Sequence, residues 1–133
     1  MIVITEKDDL TSEYGIEKAV KALTGPNDVL WHSQPCTGGC PWQRINLRRN
    51  PDTREKVKQH WKLFARLWKS FETIANHAIS VGAAVYNEWP QGCSYWSNKK
   101  VNGFFQKKTF DLATTNGCMY GLTATCGKQR ASD

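Results

Sequence analysis

Between Pro51 and Gly82, apolar residues recur at three- and four-residue steps: Val57, Trp61, Phe64, Trp68, Phe71 and Ala75. Leu63, Leu67, Ile74 and Ile79 widen this stripe, and Lys56, Lys58, Lys62, Arg66 and Lys69 flank it. The spacing predicts one long helix with an apolar face for the core and a basic outer face. Pro51 suits its first turn and Gly82 its end. A short apolar run stands on either side, Asp28-Val29-Leu30-Trp31-His32-Ser33 before it and Ala83-Ala84-Val85-Tyr86-Asn87-Glu88 after it. Each is nearly continuous in apolar character, the pattern of a strand covered on both faces. Two strands separated by a helix of this length do not form a hairpin. They fit a parallel pair joined by a helical crossover.

The rest of the chain extends the alternation. Ile2, Val3, Ile4 and Thr5 form a short β-branched run that predicts a first strand. Thr11 or Ser12 can cap a helix whose apolar positions are Ile16, Ala19, Val20 and Leu23, and Gly25-Pro26-Asn27 stops it. Val101, Phe104 and Phe105 share a short helical face; residues 109–115 read as a further strand before an Asn116-Gly117 turn. Strands alternating with helices predict an α/β fold, a parallel sheet with helices on its faces, and 133 residues suit a single domain spanning 1–133.

In such sheets ligands gather beyond the carboxyl ends of the strands. The residues placed there are Glu6 to Asp9, Ser33 to Cys40 and Glu88 to Trp96. The tip at Pro35-Cys36 is where any chemistry is expected. Cys36 follows a proline at a strand end and precedes Gly38-Gly39, which lets backbone approach a ligand closely. A thiolate there, with Arg44 as a nearby cation and Glu88 ending the neighbouring strand, suits attack on an electron-poor ring whose nitrogen the acid meets. The plainer alternative is that Cys36 is a small core filler and Glu88 a solvated acid. A zinc site from Cys36, Cys40, His32 and Cys93 is a further alternative, but no paired Cys-x2-Cys knuckle is present and no metal is expected.

Lys and Arg number 18 against 12 Asp and Glu, a net charge of +6. Such a surface attracts polyanions, nucleic acid above all, or serves solubility alone. No apolar run reaches the length of a membrane span. The N-terminal residues turn acidic within six positions, unlike a secretory leader. Five cysteines without an export signal point to reduced thiols and an intracellular setting.

Four segments resemble the cytosine-5 DNA methyltransferases in order and spacing. Asp28 to Cys36 resembles the strand that leads into the Pro-Cys nucleophile of that family. Val85-Tyr86-Asn87-Glu88 resembles its next strand, which ends in a base-binding Glu. Lys7-Asp8-Asp9-Leu10 resembles its Gly-Asp-Ile segment, and Cys118-Met119-Tyr120-Gly121-Leu122 its Tyr-Gly-Val segment. Thr37 stands where the family has Gln, and Trp89 where it has Asn. Pro35-Cys36-Thr37-Gly38-Gly39 and Glu88-Trp89-Pro90 also loosely resemble segments of virus-like or retroelement reading frames.

The resemblance implies a truncated Rossmann-like, methyltransferase-type sheet. Cys36 would be the nucleophile and Glu88 the base-binding acid, with Asp8, Asp9 and Pro35 on the side of S-adenosylmethionine. Trp42 or Trp89 would stack on a flipped base, and Arg44, Arg48 and Arg49 would hold phosphates. The family's glycine-rich strand has no counterpart here, so a partner chain or a second copy is expected to complete the sheet. The alternative function is a noncatalytic nucleic-acid-binding or assembly module on the same fold.

Overall fold

The long helix forms as the spacing requires. The computed structural model describes residues 1–116 together with Met119 and Gly121. In it, helix α3 runs from Thr53 to Ser80 and buries Val57, Phe64, Trp68, Phe71, Ile74, Ala75 and Ala78. Leu63 and Ile79, expected on the apolar stripe, are exposed at its margins. A turn from Asn50 leads into α3: the Asp52 N–H is held by the Asn50 side chain at 3.0 Å. At the other end Gly82 takes φ +81. The Gly82 N–H bonds the Ile79 carbonyl at 3.1 Å and the Ala83 N–H bonds the Ala78 carbonyl at 2.9 Å. These are the two bonds of a Schellman closure, and its apolar contact is present because Ala78 and Ala83 are buried in one cluster.

Helix α1 spans Glu13–Ala22 and is capped by Ser12, whose Oγ accepts from the Gly15 N–H at 3.2 Å. A Cβ at Gly15 would collide with the carbonyls of Asp8 and Asp9, which fold back over this first turn. Strand β1 (Val29–His32) and strand β2 (Ala84–Asn87) pair in parallel, with Val29 beside Ala84 and His32 beside Asn87. The chain is thus mixed α/β around a two-stranded parallel sheet. Helix α2 (Trp42–Arg49) precedes α3, and helix α4 (Lys99–Lys107) follows β2.

Helices α1 and α3 both lie against one face of the sheet. Ala19, Leu23, Ile74, Ala78 and Ala83 form one buried cluster; Phe64, Trp68, Phe71, Trp89, Tyr95, Val101 and Phe104 anchor a second. Leu30 and Val85, pointing inward from the strands, touch both. The opposite face is bare: Val29, Trp31 and Tyr86 are 58%, 62% and 52% exposed, and the Trp31 and Tyr86 rings stack at 5.6 Å. The apolar continuity of the two runs suggested cover on both faces; the described residues provide it on one.

Three expected elements differ. Residues 2–5 form no strand; Ile2 and Val3 are exposed and no sheet edge meets them, so β propensity has nothing to act through. Instead Thr5 caps a 3-10 turn over Glu6–Asp8. Residues 109–115 form no strand either. Thr109 has φ +59, Phe110 folds back onto Phe104 and Phe105, and Leu112 is 80% exposed. Conversely, the basic stretch after Pro41 is helical. It buries no residue, so it carries no apolar stripe by which to be read. Cys118, Tyr120 and Leu122 of the Tyr-Gly segment lie outside the described residues.

Candidate functional site

The parallel register brings the two strand ends together. The Glu88 N–H bonds the His32 carbonyl at 2.9 Å, continuing the ladder by one residue. Ser33 and Glu88 are therefore neighbours, and Ser33 Oγ donates to Glu88 Oε2 at 3.4 Å. Glu88 is exposed, as is Pro35, while Cys36 is half-buried against the aromatic cluster. The structure thus places Cys36 and Glu88 at the same end of adjacent strands, with Ser33 as the hydrogen-bond partner of the carboxylate.

Behind the tip the chain is pinned by buried polar contacts. Trp89 Nε1 donates to the Gln34 carbonyl at 3.0 Å. Gln34 Nε2 donates to the Phe64 carbonyl at 3.3 Å. The Thr37–Gly39 turn sits on Tyr95, whose hydroxyl accepts from the Gly38 N–H at 3.1 Å. Glycine is required here: a Cβ at Gly38 would stand 2.7 Å from that hydroxyl, and one at Gly39 would stand 2.8 Å from the Tyr95 ring. Burial pushes the Tyr95 phenol up to about 12, so it stays protonated. Tyr95→Phe keeps the ring stacked 3.8 Å from Phe64 but strips the Gly38 N–H of its acceptor. The expected loss in urea unfolding is about 1–3 kcal/mol.

Cys40 is half-buried and Cys93 buried; both are free thiols, like Cys36. Cys93 is 3% exposed within the aromatic cluster, and that burial pushes its thiol up. His32, the remaining residue of the zinc alternative, is turned inward. Its Nδ1–H donates to Asn87 Oδ1 at 2.6 Å, and its ring stacks on Phe71 at 4.0 Å. Among the described residues no three of His, Cys, Asp and Glu converge on a metal position.

The other expected site residues separate into two groups. Asp8 and Asp9 are tied into the entry of α1. Lys18 and the Thr5 N–H hold the Asp8 carboxyl below its usual range, and Thr11 does the same for Asp9. Trp42, Arg44, Arg48 and Arg49 all lie exposed on α2, next to the strand-tip turn. Gln43 Nε2 anchors α2 to that turn through the Thr37 carbonyl at 2.9 Å. Of the two tryptophans expected to stack on a base, Trp42 is 69% exposed and accessible. Trp89 is 6% exposed and packs inside the core beside Trp68 and Tyr95, so it has no free face. Gln34 and Tyr95, the two buried polar side chains that organise the tip, were not singled out from the sequence, because nothing local distinguishes a buried Gln or Tyr from an exposed one.

No helix among the described residues is long and apolar enough to cross a membrane. Comparison of the chain with protein-family models, with curated proteins and with solved structures returns no match.

Proposed function

We infer that the chain is a nucleic-acid-binding α/β module whose α2–α3 surface holds the phosphate backbone. The observation that carries this reading is unneutralised charge. From Trp42 to Thr73 the chain has nine Lys and Arg against three acids. Among the described residues, Lys58 alone of those nine is within ion-pair distance of a carboxylate, Glu55 at 4.0 Å. Arg44 and Arg48 are four residues apart on α2, so two like charges share one face at a cost to the helix. A polyanion would relieve that repulsion, and exposed Trp42 at the start of the same helix offers a ring for a base to stack on.

The test is fluorescence anisotropy with labelled 20-mers, single- and double-stranded, across a salt series. Binding should weaken steeply with salt. The triple variant Arg44→Gln, Arg48→Gln, Arg49→Gln should reduce the slope of log K against log salt by roughly two to three. Affinity that is flat in salt, or absent at low salt, would end this reading.

The paired strand tips favour a second reading, in which the sheet is a piece of a Rossmann-like, methyltransferase-type sheet and Cys36 and Glu88 meet a cytosine. Glu88 next to Ser33 at the end of β2, with Cys36 three residues beyond Ser33, is the arrangement that reading needs. Calorimetry of the folded chain with S-adenosylmethionine and S-adenosylhomocysteine decides it. Absence of binding heat removes the methyl donor, and a methyl-transfer activity unchanged in Cys36→Ser removes the nucleophile.

A further inference from the structure

Helix α3 and the start of α4 form the two sides of a groove of about 420 Å³, lined in part by Trp61, Ala65, Asn98, Lys99 and Lys100. Small-molecule sites run from about 300 to 1,000 Å³, so the groove has room for one nucleotide-sized group. Its walls can be reached from solvent: Ala65, Lys99 and Lys100 are exposed, and Trp61 and Asn98 half-buried. The buried Phe64 and Trp68 close its floor. Trp61 meets the stacked pair Phe64 and Tyr95 nearly at right angles, with ring centres 5.5 and 4.8 Å away. At that spacing their edges meet one face of the indole. Among the described residues no ring is stacked on the other.

The surroundings are basic on both sides. Residues 56–71 carry five Lys and Arg and no acid, and residues 89–110 carry four Lys and no acid. Lys62 and Lys69 stand three residues before and four residues after Ala65, so they flank the groove on α3, while Lys99 and Lys100 line it from α4. Among the described residues none of these four lysines is within ion-pair distance of a carboxylate. Glu72, the acid nearest to Ala65 along α3, is engaged by the Trp68 Nε1–H at 2.7 Å. A neutral ring would leave the lysines uncompensated, and a simple anion would leave the Trp61 ring unused. The groove suits an anion that carries a flat ring. Aromatic rings set in a basic groove are the arrangement by which proteins hold single strands.

We propose that this groove holds one nucleotide of a single-stranded nucleic acid, its base stacked on Trp61 and the flanking phosphates met by Lys62, Lys69, Lys99 and Lys100. The groove site rests on the nucleic-acid reading above and narrows it. The α2–α3 surface takes phosphates from either form, whereas a base paired and stacked in a duplex has no free face to lay on Trp61.

The test is anisotropy with single- and double-stranded 20-mers on two variants. Ala65→Glu puts a carboxylate into the groove. It should leave the melting temperature unchanged, because Ala65 is exposed and the new acid stands four residues before Lys69. It should weaken single-strand binding at least tenfold and duplex binding by less than about threefold. The double variant Lys99→Gln, Lys100→Gln should reduce the single-strand slope of log K against log salt by roughly one to one and a half and leave the duplex slope unchanged. In the 15N-labelled chain the Trp61 indole signal should move with the single strand and not with the duplex. Unchanged single-strand binding by either folded variant would overturn the proposal, as would equal losses for the two forms or a fixed Trp61 signal. Adenosine 5′-monophosphate binding as tightly as the 20-mer would assign the groove to a free nucleotide, and equal displacement by polyglutamate would assign it to charge alone; either result also overturns it. In each of these cases the Arg44, Arg48 and Arg49 variant would still weaken both forms, whereas failure of the nucleic-acid reading itself shows as no binding of either form at low salt.

Discussion

Trp68→Ala is expected to remove about 3–5 kcal/mol of stability, the cost of deleting a buried tryptophan together with the cavity it leaves. Trp68 is 2% exposed and sits where three parts of the chain meet. From α3 it reaches Phe71 with ring centres 4.9 Å apart, Trp89 beyond β2 at 5.7 Å, and Phe104 and Phe105 of α4 at 5.9 and 5.5 Å. Its Nε1–H is taken by Glu72 Oε1 at 2.7 Å, so the polar edge of the ring is satisfied within the same helix. Phe71 also meets Phe104 at 6.0 Å, and Trp96 meets Phe105 at 6.1 Å, so Trp68 shares the contact with α4 with these two rings. Domains of this size are stable by about 5–15 kcal/mol in all, so the loss is a large fraction of the total. Urea unfolding followed by circular dichroism measures the loss. Trp42→Ala provides the contrast: with 69% of that side chain exposed, its effect on stability should be within about 0.5 kcal/mol. A loss below about 1 kcal/mol for Trp68→Ala would mean that the aromatic cluster does not hold α4 to the sheet.

The same contrast explains what could be read from the sequence. Helix α3 was legible because eight of its 28 residues are buried along one face and the 3.6-residue period records that. The strands β1 and β2 were legible as apolar runs on either side of it, and their parallel pairing follows from the length of the connection. Residues 2–5 and 109–115 carry strand-like composition, but a strand exists only through its neighbour, and neither segment finds one. Helix α2 failed in the opposite sense: a helix that buries nothing leaves no periodic trace. At the site, the strand-tip placement of Cys36 and Glu88 followed from topology. The inward turn of Trp89 did not, because Trp89 and Trp42 look alike in sequence and only packing separates the buried ring from the exposed one. The roles of Gln34 and Tyr95 depend on partners 30 and 57 residues away, Phe64 and Gly38.

Acid should destabilise the fold well before its carboxylates are all protonated, because of His32. Burial lowers its pKa from 6.5 to about 4. The groups around the ring are uncharged: Phe71 stacks on it, Trp68 and Trp89 meet it edge-on, and Asn87 Oδ1 takes its Nδ1–H. Nothing there compensates a positive charge, so the folded state keeps the imidazole neutral while the unfolded chain protonates it near its ordinary value. Between those two values the unfolded state binds the extra proton, and stability falls as pH falls. The contribution is fully present above about pH 6.5 and is lost progressively toward pH 4. A shift of this size corresponds to about 3 kcal/mol. Urea unfolding at pH 7.5 and at pH 4.5 should show most of that difference. His32→Phe should flatten the dependence in this window, because the replacement ring can still stack on Phe71 and takes up no proton. The Asp8, Asp9 and Asp28 carboxyls, all held below their usual range, act below the window and not within it. An NMR titration gives the direct measurement. The His32 ring signals should stay fixed from pH 7.5 to 5; a midpoint near 6.5 would show that the ring is not enclosed by Phe71 and the two tryptophans, and the acid sensitivity would have to be assigned to other groups.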